Sequence, residues 1–380
     1  MMGELAKRYP PGALVVSTGR YPGSAEADAS FNNVVDRIVI PSPRLRTVQG
    51  LLVWSHRAAA LARSVRPEFV WCGNFKPAGY PARWIRKRVG TPYGIVFYGT
   101  DLLLLQRQIQ RSVTKRVSAR ELIGSAAGLV AISQWTRNLC LSVLGQLGFN
   151  AGEADVRTLS LGTDPEYFRP GIDSAGVRQR YGLDGRRWLI TVARLTKHKG
   201  VDMGLQVLAR LRDRYPNLAY LVVGSGGELP ALERLAQNLG VADRVRFLTG
   251  VPDTDLPGLY NCAEIYLGLS RQTEGNAEGF GISLVEAGAC GLPVVGGRSG
   301  GIPDTVRAGE TGLLVDSERP AEIAAAVCEL LDNPMMAQRL GTNGRQAVET
   351  HYNWKRVADD FGRMGHELAS ARRPCLQDAR

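Results

Sequence analysis

Twelve short apolar runs, spaced along the chain between helix-like stretches, constrain its fold more than any other feature. The first six are Ala13–Ser17, Arg37–Ile40, Phe69–Cys72, Gly94–Tyr98, Leu129–Ile132 and Val156–Leu161. The second six are Trp188–Ala193, Ala219–Val223, Val245–Leu248, Glu264–Leu267, Pro293–Val295 and Gly312–Val315. Amphipathic segments such as Val201–Tyr215 and Glu228–Leu239 lie between them. Strand alternating with helix over this length predicts an α/β protein with parallel, doubly wound sheets, and two sets predict two domains. A chain of 380 residues is too long for one ordinary core and suits two. The turn formers of GTDPEYFRPGIDS mark a linker, so the reading is a first domain over 1–164, a linker over 165–185 and a second domain over 186–350. A helix over 351–370 and a frayed tail over 371–380 complete it.

The chain opens on GELAKRYPPG, which reads as the back end of a helix, and only then on the strand ALVVST. A doubly wound domain normally begins with a strand and a glycine-rich turn, and both are missing here. The expectation is that the real start lies upstream, or that Met1 is an internal methionine.

Several classes of protein fall away on composition. No apolar run approaches the roughly 20 residues needed to span a bilayer, and the polar N-terminus has no signal-like core, so the expected location is the cytoplasm. Six scattered cysteines and four histidines show no ligand spacing, so no metal is expected. The net charge of +11 lies wholly in residues 1–164, with 21 Lys+Arg against 10 Asp+Glu; residues 165–380 hold 26 of each. A polyanionic partner for the first half follows, either membrane phosphates, a lipid-phosphate acceptor or nucleic acid. An arginine-rich composition bias is the plain alternative. No stacking-aromatic or base-reading module favours nucleic acid.

Two constellations carry chemistry. In Glu278-Gly-Phe-Gly-Ile-Ser-Leu-Val-Glu286 a glycine-flanked turn leads into a helix, with a carboxylate on each side of its start. Helix N-termini present free N–H groups suited to hydroxyls and phosphate oxygens. In Val192-Ala-Arg194-Leu-Thr-Lys-His-Lys199-Gly200 two cations follow the first strand of the second domain, where open α/β sheets bind ligands. Arg194 and Lys199 there can neutralise a departing diphosphate. Each also has a plain reading, a glycine turn with solvated glutamates and a basic turn at a helix start. The loops Gly224-Ser-Gly-Gly227 and Gly296-Gly-Arg-Ser-Gly-Gly301 are weak signals alone.

Taken in order, VARLTKHKG, LVVGSGGELPALERLA, VRFLTGVP, EGFGISLVE, ACGLPVV, SGGIPDTV, GETGLLV and HYNWKRVADDF resemble glycosyltransferase family 4. The stretch SRQTEGNAEGFGISLVEAGACGLPVVGGRSGG is most similar to actinobacterial phosphatidylinositol mannosyltransferases that use GDP-mannose. The resemblance implies the GT-B fold, two Rossmann-like domains facing across a cleft, with the first receiving the acceptor. It implies a retaining transfer of a hexose, mannose from GDP-mannose being the best match, to a lipid-linked or glycan acceptor, with no metal. The leaving diphosphate takes the acceptor's proton on the same face, and the helix over 351–370 crosses back to the first domain. On the residues that match, Arg194 and Lys199 hold the diphosphate, Glu278 meets sugar hydroxyls, and Phe280, Gly281 and Ile282 offer backbone amides. Glu286 grips the ribose, and Gly250 with Val251 meets the base. Where the family shows His-Gly-x-Asp/Glu, this chain has Tyr98-Gly-Thr-Asp101, so Tyr98 stands at the sugar-contacting position or is an ordinary aromatic at a strand end.

The basic half adds Arg83-Trp84-Ile-Arg86-Lys87-Arg88, and then Arg107, Arg111 and Lys115 at i, i+4, i+8 of one helix face, with Arg116 beside them. Cations mixed with aromatics suit an anionic bilayer, here at the inner face of the membrane. A solvated arginine face is the alternative. Competing functions remain: a UDP-sugar donor, a related two-domain epimerase or phosphorylase, or a non-catalytic nucleotide-sugar or lipid-binding protein.

Overall fold

The computed structural model describes all residues except Met1, 40–43, 153, 184, 274, 372–375 and 377–380. The chain divides into two compact units, Met1–Leu159 with Trp354–Arg380, and Ser160–Asn353. The first runs α1 (Met2–Arg8), β1 (Val15–Gly19), α2 (Ser24–Asp28), β2 (Val34–Ile38), α3 (Arg44–Val65), β3 (Val70–Cys72), α4 (Gly79–Val89), β4 (Tyr93–Phe97), α5 (Thr100–Arg111), α6 (Val113–Gly124), β5 (Gly128–Ala131), α7 (Gln134–Gln146) and β6 (Val156–Thr158). The second runs α8 (Ala175–Tyr181), β7 (Arg187–Val192), α9 (Val201–Leu211), β8 (Leu218–Val223), α10 (Leu229–Asn238), β9 (Val245–Leu248), α11 (Leu256–Asn261), β10 (Ile265–Gly268), α12 (Ile282–Ala289), β11 (Val294–Gly297), β12 (Leu313–Val315), α13 (Pro320–Asp332) and α14 (Pro334–Thr350). The last helix, α15 (Trp354–Ala371), rejoins the first unit. Each apolar run of the sequence overlaps one of these strands.

In the second unit six parallel strands form one sheet in the order β12-β11-β10-β7-β8-β9. Every residue of β8, β10 and β11 is buried, as a sheet covered on both faces requires. Leu205, Leu208, Ile323 and Val327 from α9 and α13 fill the core against Leu189, Tyr220 and Val222.

The first unit departs from a single sheet. Among the described residues β3, β4, β5 and β6 form one parallel sheet, while β1 and β2 pair only with each other. Helix α3 joins the two through one cluster, in which Trp54, Ala58, Ala59 and Ala62 pack with Ile38 of β2, Ile85 of α4 and Val70 of β3. The first described element is α1, in accord with the helix read in GELAKR. Helix α15 lies against this unit: Phe361 meets Trp71 edge to face at 5.0 Å, and Tyr9 Oη donates to the Ala358 carbonyl at 2.9 Å. Of the expected tail, Ala371 ends α15, and Leu376 is described and buried. Its other residues lie outside the described ones.

The stretch expected to be a linker is instead part of the second unit. Arg345 Nη1 donates to the carbonyls of Pro165, Phe168 and Ala289 at 2.6, 2.8 and 3.0 Å. Asn261 donates to the Arg169 carbonyl and accepts from Gly171 N–H, and Phe168 packs on Tyr260. Turn formers here shape a fixed surface segment; local Asp164 accepts from the N–H groups of Glu166 and Tyr167, while the carbonyls of Pro165, Phe168 and Arg169 are met by one arginine and one asparagine that no local pattern announces. Arg345→Met, which keeps the stem and removes the donors, is expected to destabilise the protein by roughly 2–4 kcal/mol in urea unfolding. An unchanged midpoint would mean that the guanidinium does not hold the segment.

Candidate functional site

The sheet order changes direction between β7 and β10. From β7 the chain winds outward through β8 and β9, and from β10 it winds the other way through β11 and β12. The loops leaving these two strands diverge and open a crevice at their carboxyl ends. The β7 loop carries Arg194 and a 3-10 turn, Lys197–Lys199; the β10 loop carries Glu278. Gly200 has φ +70°, and a side chain there would begin 2.0 Å from the Leu269 carbonyl oxygen, so only glycine lets the β7 loop lie against the end of β10. Lys199 Nζ thereby reaches Glu278 Oε2 at 2.5 Å, and Ser270 Oγ donates to the same oxygen at 3.1 Å. The side chains are only 14% and 16% exposed.

The loop Gly296-Gly-Arg-Ser-Gly-Gly301 has a structural task at this point. Gly301 N–H donates to the Glu278 carbonyl at 2.8 Å, and a side chain on Gly300, at φ +58°, would begin 2.2 Å from that oxygen. The loop Gly224-Ser-Gly-Gly227 likewise braces the cationic side, since Leu195 N–H donates to the Ser225 carbonyl and Glu228 N–H to that of Leu195. Arg194 is exposed and His198 buried. Burial lowers the His198 pKa, and the Lys199, Arg194 and Arg271 cations lower it further against the pull of Glu278. The ring is therefore neutral at pH 7, with three cations and one carboxylate around it. Arg271 also pairs with Asp202 at 3.0 and 2.9 Å, and its N–H donates to the His198 carbonyl, which fixes the 3-10 turn.

Glu286 lies in α12, which starts at Ile282 after Gly281. Tyr260 Oη donates to its Oε2 at 2.7 Å. Burial pushes the Glu286 pKa up to about 7; the Tyr260 hydrogen bond pulls it down and Asp253 pushes it up. Burial raises the pKa of Tyr266, and both Glu286 and Glu278 raise it further; its hydroxyl donates to Ser283 Oγ at 2.7 Å. The Phe280 side chain is buried against Tyr352, leaving its backbone at the helix start. Gly250 and Val251 follow β9, and Asp253 stands two residues on, exposed, with a carboxylate that influences Glu286 and Tyr167. Among the described residues no group of three or more His, Cys, Asp and Glu is arranged to hold a metal ion.

A family model described as "Glycosyl transferases group 1" matches residues 176–347. The GDP-mannose-dependent alpha-(1-6)-phosphatidylinositol monomannoside mannosyltransferase of Mycolicibacterium smegmatis is 31% identical over 388 residues, covering 99% of this chain and 94% of its own. The enzyme of the same name from Mycobacterium tuberculosis is 33% identical over 77% of this chain and 74% of its own. The chain belongs to the group 1 glycosyl transferases. The fold of this glycosyltransferase is also that of two solved structures. One is Anabaena Alr3699/HepE in complex with UDP and glucose (TM-score 0.77, 19% identity, covering 96% of this chain and 94% of that one). The other is a glycosyltransferase from Rickettsia africae (TM-score 0.79, 16% identity, 97% and 94% covered).

Arg194, Lys199, Glu278, Phe280–Ile282, Glu286, Gly250 and Val251 of this glycosyltransferase all lie in the second unit, at the carboxyl edge of one sheet. Tyr98 is in the first unit, at the end of β4, where burial raises its pKa and its N–H donates to Asp101 Oδ1. In α4, Arg83 pairs with Glu121 and Trp84 lies between His56 and Arg88. Arg86 Nη1 is buried without a partner, so Lys87 and Arg88 are the exposed cations of that cluster. The single helix face expected for Arg107, Arg111 and Lys115 is broken at Ser112, which has extended backbone and caps α6. The three cations nonetheless line one groove between α5 and α6, with Leu104, Gln108 and Ser112.

Sequence reading missed Tyr260, Ser270 and Asp253. Asp253 was within reach, two residues beyond Val251, the residue expected to meet the base. The other two hydroxyls carry no signal, because their partners are distant in sequence or lie in another element. The pKa of Glu286 sets a test of the site. A carboxyl raised above its ordinary 4.5 holds its proton in the folded state, so stability falls as pH climbs from about 4.5 through 7. Glu286→Gln is expected to leave the ligand-free glycosyltransferase unchanged below about pH 4 and to stabilise it at pH 8 by up to about 3 kcal/mol in denaturant unfolding. An equal effect at both values would contradict the burial of this charge.

Proposed function

We propose that this enzyme transfers mannose from GDP-mannose, with retention, to a phosphatidylinositol-type acceptor at the inner face of a membrane. The observation that carries this reading is the meeting of Lys199 with Glu278 at the sheet's switch point, with Glu286 in the helix that follows, held by Tyr260. A nucleoside diphosphate sugar matches that order of charges. Its diphosphate replaces Glu278 as the partner of Lys199, with Arg194 as second cation, and Glu278 is released to accept hydrogen bonds from sugar hydroxyls. Glu286, as a carboxylate, accepts from the ribose diol. The acceptor oxygen bonds to the anomeric carbon as the bond to the diphosphate breaks, and the acceptor proton passes to the departing diphosphate. The enzyme's share is positioning and charge neutralisation, which two fixed cations supply without a divalent ion. Guanine fits Asp253, whose carboxylate accepts from two adjacent donors, the ring N–H and the amino group; uracil offers one. The names of the two mycobacterial relatives agree with a guanine nucleotide and mannose. In a panel of GDP- and UDP-sugars, GDP-mannose hydrolysis or transfer is expected to dominate and to persist in EDTA. Lys199→Ala is expected to cut kcat/KM by roughly 10²–10³ with the fold intact. Near-normal turnover by that variant, or a preference for UDP-sugars, would refute the assignment.

The acceptor side of the proposal rests on the first unit. With the boundaries of the folded units it holds 27 Lys+Arg against 13 Asp+Glu, a net +14, while the second holds 20 against 23. Ten of the twelve large apolar side chains exposed among the described residues are in the first unit. Leu104 lines the α5–α6 groove with Arg107, Arg111 and Lys115, which have no ion-pair partner among the described residues, and Val113 and Val117 of α6 are exposed. Apolar tips between unpaired cations suit an anionic bilayer surface. No helix among the described residues is long and apolar enough to cross a membrane, so attachment is read as peripheral. Replacing Arg107, Arg111 and Lys115 with Ser is expected to weaken sedimentation with phosphatidylinositol vesicles about 100-fold, at about 1 kcal/mol per cation. Vesicle binding equal to wild type would remove this groove from the proposal.

A further inference from the structure

The two glutamates of the motif are each held by one protein hydroxyl. The hydroxyl on Glu286 comes from a fully buried residue outside the motif. Tyr260 lies in α11, edge-on to Phe168 at 5.7 Å and tilted to Tyr266 at 5.9 Å, so its ring cannot turn without disturbing the core. Its single proton has two acceptors within reach, Glu286 Oε2 at 2.7 Å and the Ser283 carbonyl at 3.5 Å, and the shorter bond is to the carboxylate. The titratable groups acting on Glu286 or on Tyr260 come from several elements. They are Tyr266 of β10, Asp253 in the turn before α11, Tyr167 in the segment before α8, and Cys290 at the end of α12, on which Arg345 of α14 acts. Among the described residues no cation pairs with Glu286. A phenol is its one charge-free support.

We infer that Tyr260 is a positioning residue for the donor nucleotide: its hydroxyl occupies one lone pair of Glu286 Oε2 and leaves Oε1 free to accept from a vicinal diol. The inference rests on the proposed role of Glu286 toward the ribose. Two consequences follow from the geometry. The carboxylate is fixed in rotation, so the diol meets an acceptor already oriented. The same hydrogen bond favours the ionised form, which opposes burial and the nearby Asp253. A diol needs the ionised form, because a protonated carboxyl has lost acceptor capacity and competes as a donor.

The test is the pH dependence of GDP affinity by calorimetry in wild type, Tyr260→Phe and Glu286→Gln. Phenylalanine keeps the packing and removes the donor. Tyr260→Phe is expected to raise the pH at which GDP binding is gained by about one unit, weakening binding roughly tenfold near pH 6.5 and converging on wild type near pH 9. Glu286→Gln should bind weakly at every pH. If Glu286→Gln binds GDP as wild type does, the ribose reading fails, and this inference fails with it. If Glu286→Gln is impaired but Tyr260→Phe keeps the wild-type curve, or loses affinity equally at all pH values, the positioning role alone is overturned. Should Tyr260→Phe not fold, infrared titration of tyrosine-labelled wild type decides. A phenol C–O band moving with the Glu286 midpoint, and static in Glu286→Gln, supports the bond, and a band insensitive to that titration overturns it.

Discussion

The contact between Lys199 and Glu278 is the constraint around which the second unit is arranged. Two opposite charges, each about 15% exposed, are stable there because each is the other's partner and Ser270 adds a hydrogen bond. Removing one would leave the other partly desolvated and uncompensated. The pair exists because β7 and β10 are neighbours although they are far apart in sequence, and because Gly200 and Gly300 let three loops close to within contact of one another. In the proposed function an anion that takes Lys199 releases Glu278, so phosphate capture and the exposure of a hydroxyl-binding carboxylate become one event.

Glu286 shows how the same residue type is set to a different condition eight positions later. Glu278 faces a cation, whereas Glu286 faces tyrosines and another carboxylate, Asp253. The first is half-buried beside fixed positive charge; the second is held by a phenol and titrates near neutrality. A buried carboxyl of this kind costs stability in the ligand-free state, and a ligand that donates hydrogen bonds to it recovers that cost. With Glu286 in its proposed role, donor binding and folding stability are linked at one side chain.

The two units differ in charge. The second holds 20 Lys+Arg against 23 Asp+Glu, of which Arg194, Lys199 and Arg271 act on His198 in the loop after β7. The first spreads a net +14 over its surface and exposes most of the large apolar side chains. Diffuse charge with apolar tips addresses an extended anionic surface better than a single phosphate. The break at Ser112 matters in this respect. It turns one long helix into two and converts a straight row of cations into the wall of a groove.

The sequence by itself determined the strands and the parallel class and singled out Arg194, Lys199, Glu278 and Glu286, because these depend on local periodicity and on motifs whose glycines and charges lie within a few positions. It also determined the charge asymmetry, which needs only counting. It did not reveal that GTDPEYFRPGIDS packs onto the second unit, because the responsible donors, Arg345 and Asn261, are nearly a hundred residues or more away. Nor did it show that β1 and β2 pair apart from β3–β6. Tertiary structure alone decided the partners of the two glutamates. Hydrogen bonds from Tyr260 and Ser270 are set by which strands are adjacent and how helices pack on them, and side-chain spacing along one segment carries no record of that.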